Sequence, residues 1–80
     1  MRATIRFYSG FEIHLQNDSN KEIDLNLGSG EDIASILKRF LPEDSLGFVG
    51  MVLVNKKIVN FDYQAKEGDL IEVFPVIGGG

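Results

Sequence analysis

The chain has 80 residues, twelve acids against eight bases for a net charge of -4, 44% hydrophobic side chains, nine glycines and no cysteine or tryptophan. This length allows one domain with one modest core burying about 60–65% of the unfolded surface, which leaves little room for a deep enzyme pocket. Without cysteine there is no disulfide, thiolate nucleophile, cysteine-held iron–sulfur cluster or Cys-type zinc site, and no basic run exceeds Lys38-Arg39 or Lys56-Lys57, which argues against a nucleic-acid surface.

Arg2 is followed by alternating residues rather than a continuous apolar stretch. No signal peptide or membrane span is expected, and the protein is expected in the cytoplasm. Ala3, Ile5 and Phe7 alternate with Thr4, Arg6 and Tyr8, the period of a half-buried strand. Ser9-Gly10 interrupts, and Phe11, Ile13 and Leu15 alternate again as strand or irregular chain. A polar loop from Gln16 to Lys21 precedes a second strand carrying Ile23, Leu25 and Leu27.

Gly28-Ser29-Gly30 breaks that pattern, and Ile33, Ile36, Leu37, Phe40 and Leu41 then follow the spacing of one helical face. Ser29 is the expected cap, with Asp32 three residues on. Glu31 and Asp32 suit the positive end of the helix dipole, and Lys38 and Arg39 the negative end. Pro42 stops the helix. Burying its apolar face at roughly 1.5–3 kcal/mol per side chain requires a sheet beneath it.

A loop is expected from Glu43 to Gly50, followed by an apolar strand over Met51 to Val54 with Met51 in the core. Asn55-Lys56-Lys57 reads as an exposed turn, Ile58-Val59 as a returning strand, and Gly68-Asp69 as a second turn. A last strand, Leu70 to Phe74, ends at Pro75. Two early strands, a helix and two or three later strands make an α+β domain with the helix on one face of a mixed sheet.

Three of the nine glycines close the chain, as Gly78-Gly79-Gly80. A strand running into rigid Pro75 and then a side-chain-free tail would be expected to project the terminal carboxylate beyond the folded body. Glycine lets such a backbone pass through a narrow channel. A carboxylate activated there as an acyl-adenylate could accept sulfur from a donor on a partner, leaving a thiocarboxylate on a protein that has no cysteine.

Leu53-Val54-Asn55, Val59-Asn60-Phe61-Asp62, Gly68-Asp69 and Phe74-Pro75 followed by Gly79-Gly80, in that order and spacing, resemble the MoaD/ThiS family of sulfur carriers. The likeness is greatest to the molybdopterin synthase small-subunit branch, and it spans the chain, most weakly before residue 50. It implies a ubiquitin-like β-grasp fold, an α+β mixed sheet of four to five strands with one main helix on one face. Residues 1–75 would form the domain and 76–80 a flexible tail.

The resemblance also implies a non-catalytic carrier with no cofactor or metal of its own. Its C-terminal glycine would be adenylated by an E1-like enzyme of the MoeB/ThiF type, sulfurated to a thiocarboxylate, and used in molybdopterin synthesis. Thiazole synthesis and conjugation to lysines are the alternatives. The family ends in Phe-Pro-Pro, two small or apolar residues, then Gly-Gly. Aligned without gaps, Val76 stands for the second proline and Gly80 is the reactive residue, with Gly78 and Gly79 in the arm; matching Pro75 to the second proline would make Gly79 reactive. The implied partner contacts are Phe74, Pro75, Val76, Ile77 and Tyr8. The implied partners are the adenylating enzyme and a molybdopterin synthase large subunit (MoaE type) or another sulfur acceptor. The chain alone would be a monomer, without nucleic-acid or membrane contacts.

The remaining candidates read as structural. His14 is the only histidine and lies among polar neighbours, which suits a solvent-facing residue. Glu31-Asp32 and Glu43-Asp44 suit caps and solvated surface better than acid–base or metal work. Gly28-Ser29-Gly30 as an anion cradle is opposed by the acids that follow it.

Overall fold

A computed structural model describes residues 1–8 and 22–76. The reading of Phe11 to Leu15, the loop from Gln16 to Lys21, His14, and Ile77 with the three terminal glycines lie outside the described residues.

Strands β1 (Arg2–Phe7), β2 (Glu22–Asn26), β3 (Val49–Val54), β4 (Lys57–Val59) and β5 (Leu70–Pro75) form one sheet in the order β2-β1-β5-β3-β4. The β1–β5 pair is parallel, with Ile5 opposite Ile71 and Arg6 opposite Glu72, and the other pairs are antiparallel. A parallel pair needs a crossover, and helix α1 (Ile33–Lys38) lies on that crossover. The period-2 pattern thus divides the sheet. Ala3, Ile5, Phe7, Leu25, Val52, Val54, Ile71 and Val73 turn inward and are buried with Ile33, Ile36 and Leu37 of the helix. Phe7 meets Phe40 edge-on, with ring centroids 5.6 Å apart.

Five local expectations are corrected. The helical face expected to run through Phe40 and Leu41 to Pro42 ends at Lys38, where Arg39 caps the helix and Phe40 and Leu41 follow in a turn that still packs on the core. The helix is capped by Asp32 rather than Ser29: Gly30 turns the chain at φ +73, Asp32 is extended and bridges Gln64, and its carboxylate accepts the Ser35 N–H at 2.9 Å. That bond holds the Asp32 carboxyl below its usual range. Asp32 thus lies at the positive end of the helix, as expected, while Glu31 precedes it, accepting the Gly28 N–H and pairing with Arg39.

The expected loop from Glu43 to Gly50 is a 3-10 helix over Glu43–Phe48 followed directly by β3. Met51 is on the outer face, because an apolar run conceals the alternation that Val52 and Val54 obey by turning inward. The β3–β4 turn is Asn55-Lys56, both with positive φ, and Lys57 already belongs to β4.

Buried Asp69 joins this turn to the entry of β5. It accepts hydrogen bonds from Asn55 Nδ2 at 2.9 Å, the Tyr63 hydroxyl at 3.0 Å and the Lys66 N–H at 2.8 Å. Burial, and then the Asp69 contact, push the Tyr63 hydroxyl up.

Because Ile36 is fully buried between helix and sheet while Met51 faces outward, Ile36→Ala is expected to cost about 2–5 kcal/mol and Met51→Ser at most about 0.5 kcal/mol in urea unfolding. Equal losses would contradict this division of the sheet.

Candidate functional site

The outer face of the sheet carries the residues that the inward alternation leaves over. Cross-strand register arranges two rows on it, Phe74 with Met51 and beside them Arg6, Glu72, Leu53 and Ile58, and Tyr8, just past β1, joins the first row by stacking on Phe74. Tyr8 and Phe74 are half-buried and stack with centroids 4.2 Å apart and ring planes 12° from parallel. Ile58 is 70% exposed. The result is an aromatic and aliphatic surface on the strands that lead to the tail.

Glu72 lies at the centre of this face and is only 1% exposed. Its carboxylate accepts the Tyr8 hydroxyl at 2.5 Å, Arg6 Nη1 at 3.3 Å and Lys56 Nζ at 3.2 Å. Arg6 also donates to the Tyr8 hydroxyl and pairs with Glu22. A buried carboxylate survives only when paired and hydrogen-bonded, and this one has three donors. Foremost the Tyr8 hydrogen bond, and then Lys56, hold the Glu72 carboxyl below its usual value against the opposing effect of burial. Tyr8 is thus fixed at its oxygen by Glu72 and at its ring by Phe74.

The chain leaves the sheet beside this platform. β5 ends at Pro75, and the Val76 N–H donates to the Phe48 carbonyl at 2.8 Å. Val76 is 55% exposed. Of the sequence-derived contact residues, the structure brings Tyr8, Phe74, Pro75 and Val76 to one region, while Ile77, Gly78, Gly79 and Gly80 lie outside the described residues.

Sequence reasoning missed Glu72, Lys56, Met51 and Ile58. Glu72 carried a usable signal as the lone charge in an apolar strand, two residues before Phe74 and so on the same side of the sheet.

Among the described residues no group of three or more His, Asp or Glu could hold a metal ion, and no helix is long and apolar enough to cross a membrane. A shallow hollow lined by Arg2, Thr4, Asp24 and Glu67 lies by the start of β1, at the end of the sheet away from Pro75.

The ThiS family model matches residues 16–80. Comparison with curated proteins returned no match. Among solved structures, SAMP1 from Haloferax volcanii superposes with a TM-score of 0.73 at 13% identity, covering 100% of both chains. A putative molybdopterin converting factor subunit 1 from Pyrococcus furiosus gives 0.70 at 21% identity, over 96% of this chain and 99% of that one. A chain from the complex of subunits 1 and 2 of the Helicobacter pylori molybdopterin-converting factor gives 0.65 at 20% identity, over 100% of both. These likenesses show the fold, which is the ubiquitin-like β-grasp.

The depressed Glu72 carboxyl sets a pH dependence. As pH falls, the unfolded chain takes up this proton first, near the ordinary value of 4.5. The stabilisation is therefore present above that pH and lost on further acidification through the lower folded value. Glu72→Gln is expected to cost about 1.5–3 kcal/mol near pH 7. The gap to wild type should narrow below pH 4.5 in urea titrations; a gap constant from neutral to strongly acid pH would contradict the assignment.

Proposed function

The chain belongs to the ThiS family of ubiquitin-like sulfur carriers and modifiers, and from that membership we propose that it is a non-catalytic sulfur carrier for molybdopterin synthesis. The observation that carries this reading is the extent of the family match, which runs through residue 80 and so includes the glycine tail. The Phe74-Pro75 ending supports the molybdopterin branch.

Residues 1–75 act as the folded body and 76–80 as the reactive arm. An oxygen of the Gly80 carboxylate attacks the α-phosphate of ATP held by an E1-like enzyme, and pyrophosphate leaves. Sulfide from the donor (HS⁻) then attacks the activated carbonyl, the carbon–oxygen bond to AMP breaks, a proton is lost, and the chain carries a thiocarboxylate. When that sulfur is delivered to an acceptor on a large synthase subunit, water cleaves the acyl–sulfur bond and its oxygen restores the carboxylate. The use of ATP and a partner enzyme fits the cytoplasm, and the chain acts there as a monomer between partners.

Tyr8 and Phe74 form the centre of the docking face, with Pro75, Val76 and Ile77 guiding the arm. Aromatic residues near an interface centre carry a large share of binding energy. The prepaired Tyr8–Phe74 stack also loses little side-chain freedom on docking. The Helicobacter pylori structure, a complex of a related small subunit with subunit 2, supports a synthase large subunit as one occupant of this face.

The test is reconstitution with ATP, an E1-like enzyme and a sulfur donor, read by intact mass. Wild type should exchange one oxygen for sulfur, and deletion of Gly80 should abolish the exchange without altering the fold, because the last member of the described core is Val73. Phe74→Ala should raise KM for the adenylating enzyme about tenfold, since such anchors contribute upward of 1 kcal/mol. Thiocarboxylate formation undiminished by the deletion would overturn the assignment of Gly80. Sulfur accepted by a thiazole synthase but not by a molybdopterin synthase would overturn the destination.

A further inference from the structure

Gly50 lies in β3, where the sequence suggested only a loop glycine. Between Val49, opposite Pro75, and Met51, opposite Phe74, the register slips by one residue, and Gly50 is the residue left over, as in a β-bulge. Gly50 itself is exposed. Even so, a Cβ built there would lie 2.8 Å from the Pro75 carbonyl oxygen, 2.9 Å from Val76 Cα and 3.0 Å from Val76 N. All three are backbone atoms, so no side-chain rotation relieves the contact. Two residues earlier, the Phe48 carbonyl accepts the Val76 N–H at 2.8 Å. The first residue after the central strand is therefore held in a backbone saddle made by residues 48–50, and the missing side chain at Gly50 lets it sit there.

We propose that Gly50 is a positioning residue for tail activation, setting the direction in which residues 77–80 leave the body so that the terminal carboxylate reaches the partner's nucleotide while the outer face is docked. The proposal rests on the sulfur-carrier reading, and it assigns to β3 a task that the tail sequence alone does not perform. Docking and alignment are separable here. The Tyr8–Phe74 platform sets affinity, and the saddle sets where the reactive end arrives. Misplacement by about 1 Å at a reacting centre can lower a rate about 100-fold without changing binding.

The test compares wild type, Gly50→Ala and Gly47→Ala. Gly47 has nothing within 4 Å of a built Cβ and serves as the control. Two readouts are needed, amide hydrogen exchange in the isolated chain and steady-state adenylation by the E1-like enzyme. In Gly50→Ala, Val76 amide protection should fall about tenfold or more with Ile5 and Ile71 unchanged, as a local opening would produce. Its adenylation kcat should fall about 10–100-fold with KM within about twofold. Gly47→Ala should match wild type in both.

If Gly50→Ala does not fold, an amide-to-ester replacement at Val76, made by semisynthesis, removes the donor to Phe48 without adding an atom at position 50. The same kcat-only loss is expected of it. Wild-type kcat in whichever of the two folds, or a loss confined to KM, overturns the proposal and leaves the carrier reading standing. A wild-type chain that the E1-like enzyme never adenylates overturns the carrier reading and the activation role with it, whereas the Val76 exchange result still decides whether Gly50 forms the saddle.

Discussion

The parallel pairing of β1 with β5 is the constraint from which the rest of the structure follows. It puts the last strand in the middle of five rather than at an edge, with β1 and β3 on either side. Two faces follow from that one placement. Ile71 and Val73 turn inward beneath the helix, while Glu72 and Phe74 turn outward between residues of two neighbouring strands. A central strand cannot fray as an edge can: β5 is laddered on both sides up to Val73 and by β3 alone from there to Pro75. The last described residues, Pro75 and Val76, are thus anchored to β3 and to Phe48.

The outer face combines two demands that usually oppose each other. A docking surface should be apolar, yet an unpartnered apolar sheet face invites aggregation. Glu72 with Arg6, Lys56 and Tyr8 resolves part of this by threading a paired, hydrogen-bonded charge network through the centre of the apolar residues. The cost of burying the carboxylate is offset only while all its donors are in place, which couples the orientation of Tyr8 to two basic side chains, Arg6 of β1 and Lys56 of the β3–β4 turn. Through its stack with Tyr8, Phe74 is tied into the same network.

Much of this was legible in the residues, and what was not has specific physical causes. Ala3, Ile5 and Phe7 alternate cleanly because β1 has one buried face, and Ile33, Ile36 and Leu37 show the helix because only one stripe is buried. The start of that helix was not legible. Ser29 and Asp32 are comparably good caps, and the choice is made by the turn at Gly30 and the bridge to Gln64. Met51 was misassigned because Met51 to Val54 is apolar on both faces, which erases the period. Glu72 and Gly50 were missed for a common reason: their partners come from distant segments, Arg6 and Tyr8 for one, Pro75 and Val76 for the other. Local pattern carries no record of such contacts.

The central claim is that this body exists to hold out a carboxylate that carries sulfur. The most direct measurement is the mass of the intact chain purified from its native host, with the modification located by fragmentation. The account predicts a population in which one oxygen is replaced by sulfur at the C-terminal glycine and nowhere else. An unmodified chain in cells actively making the cofactor, or a chain found only as adducts on lysines of other proteins, would contradict it.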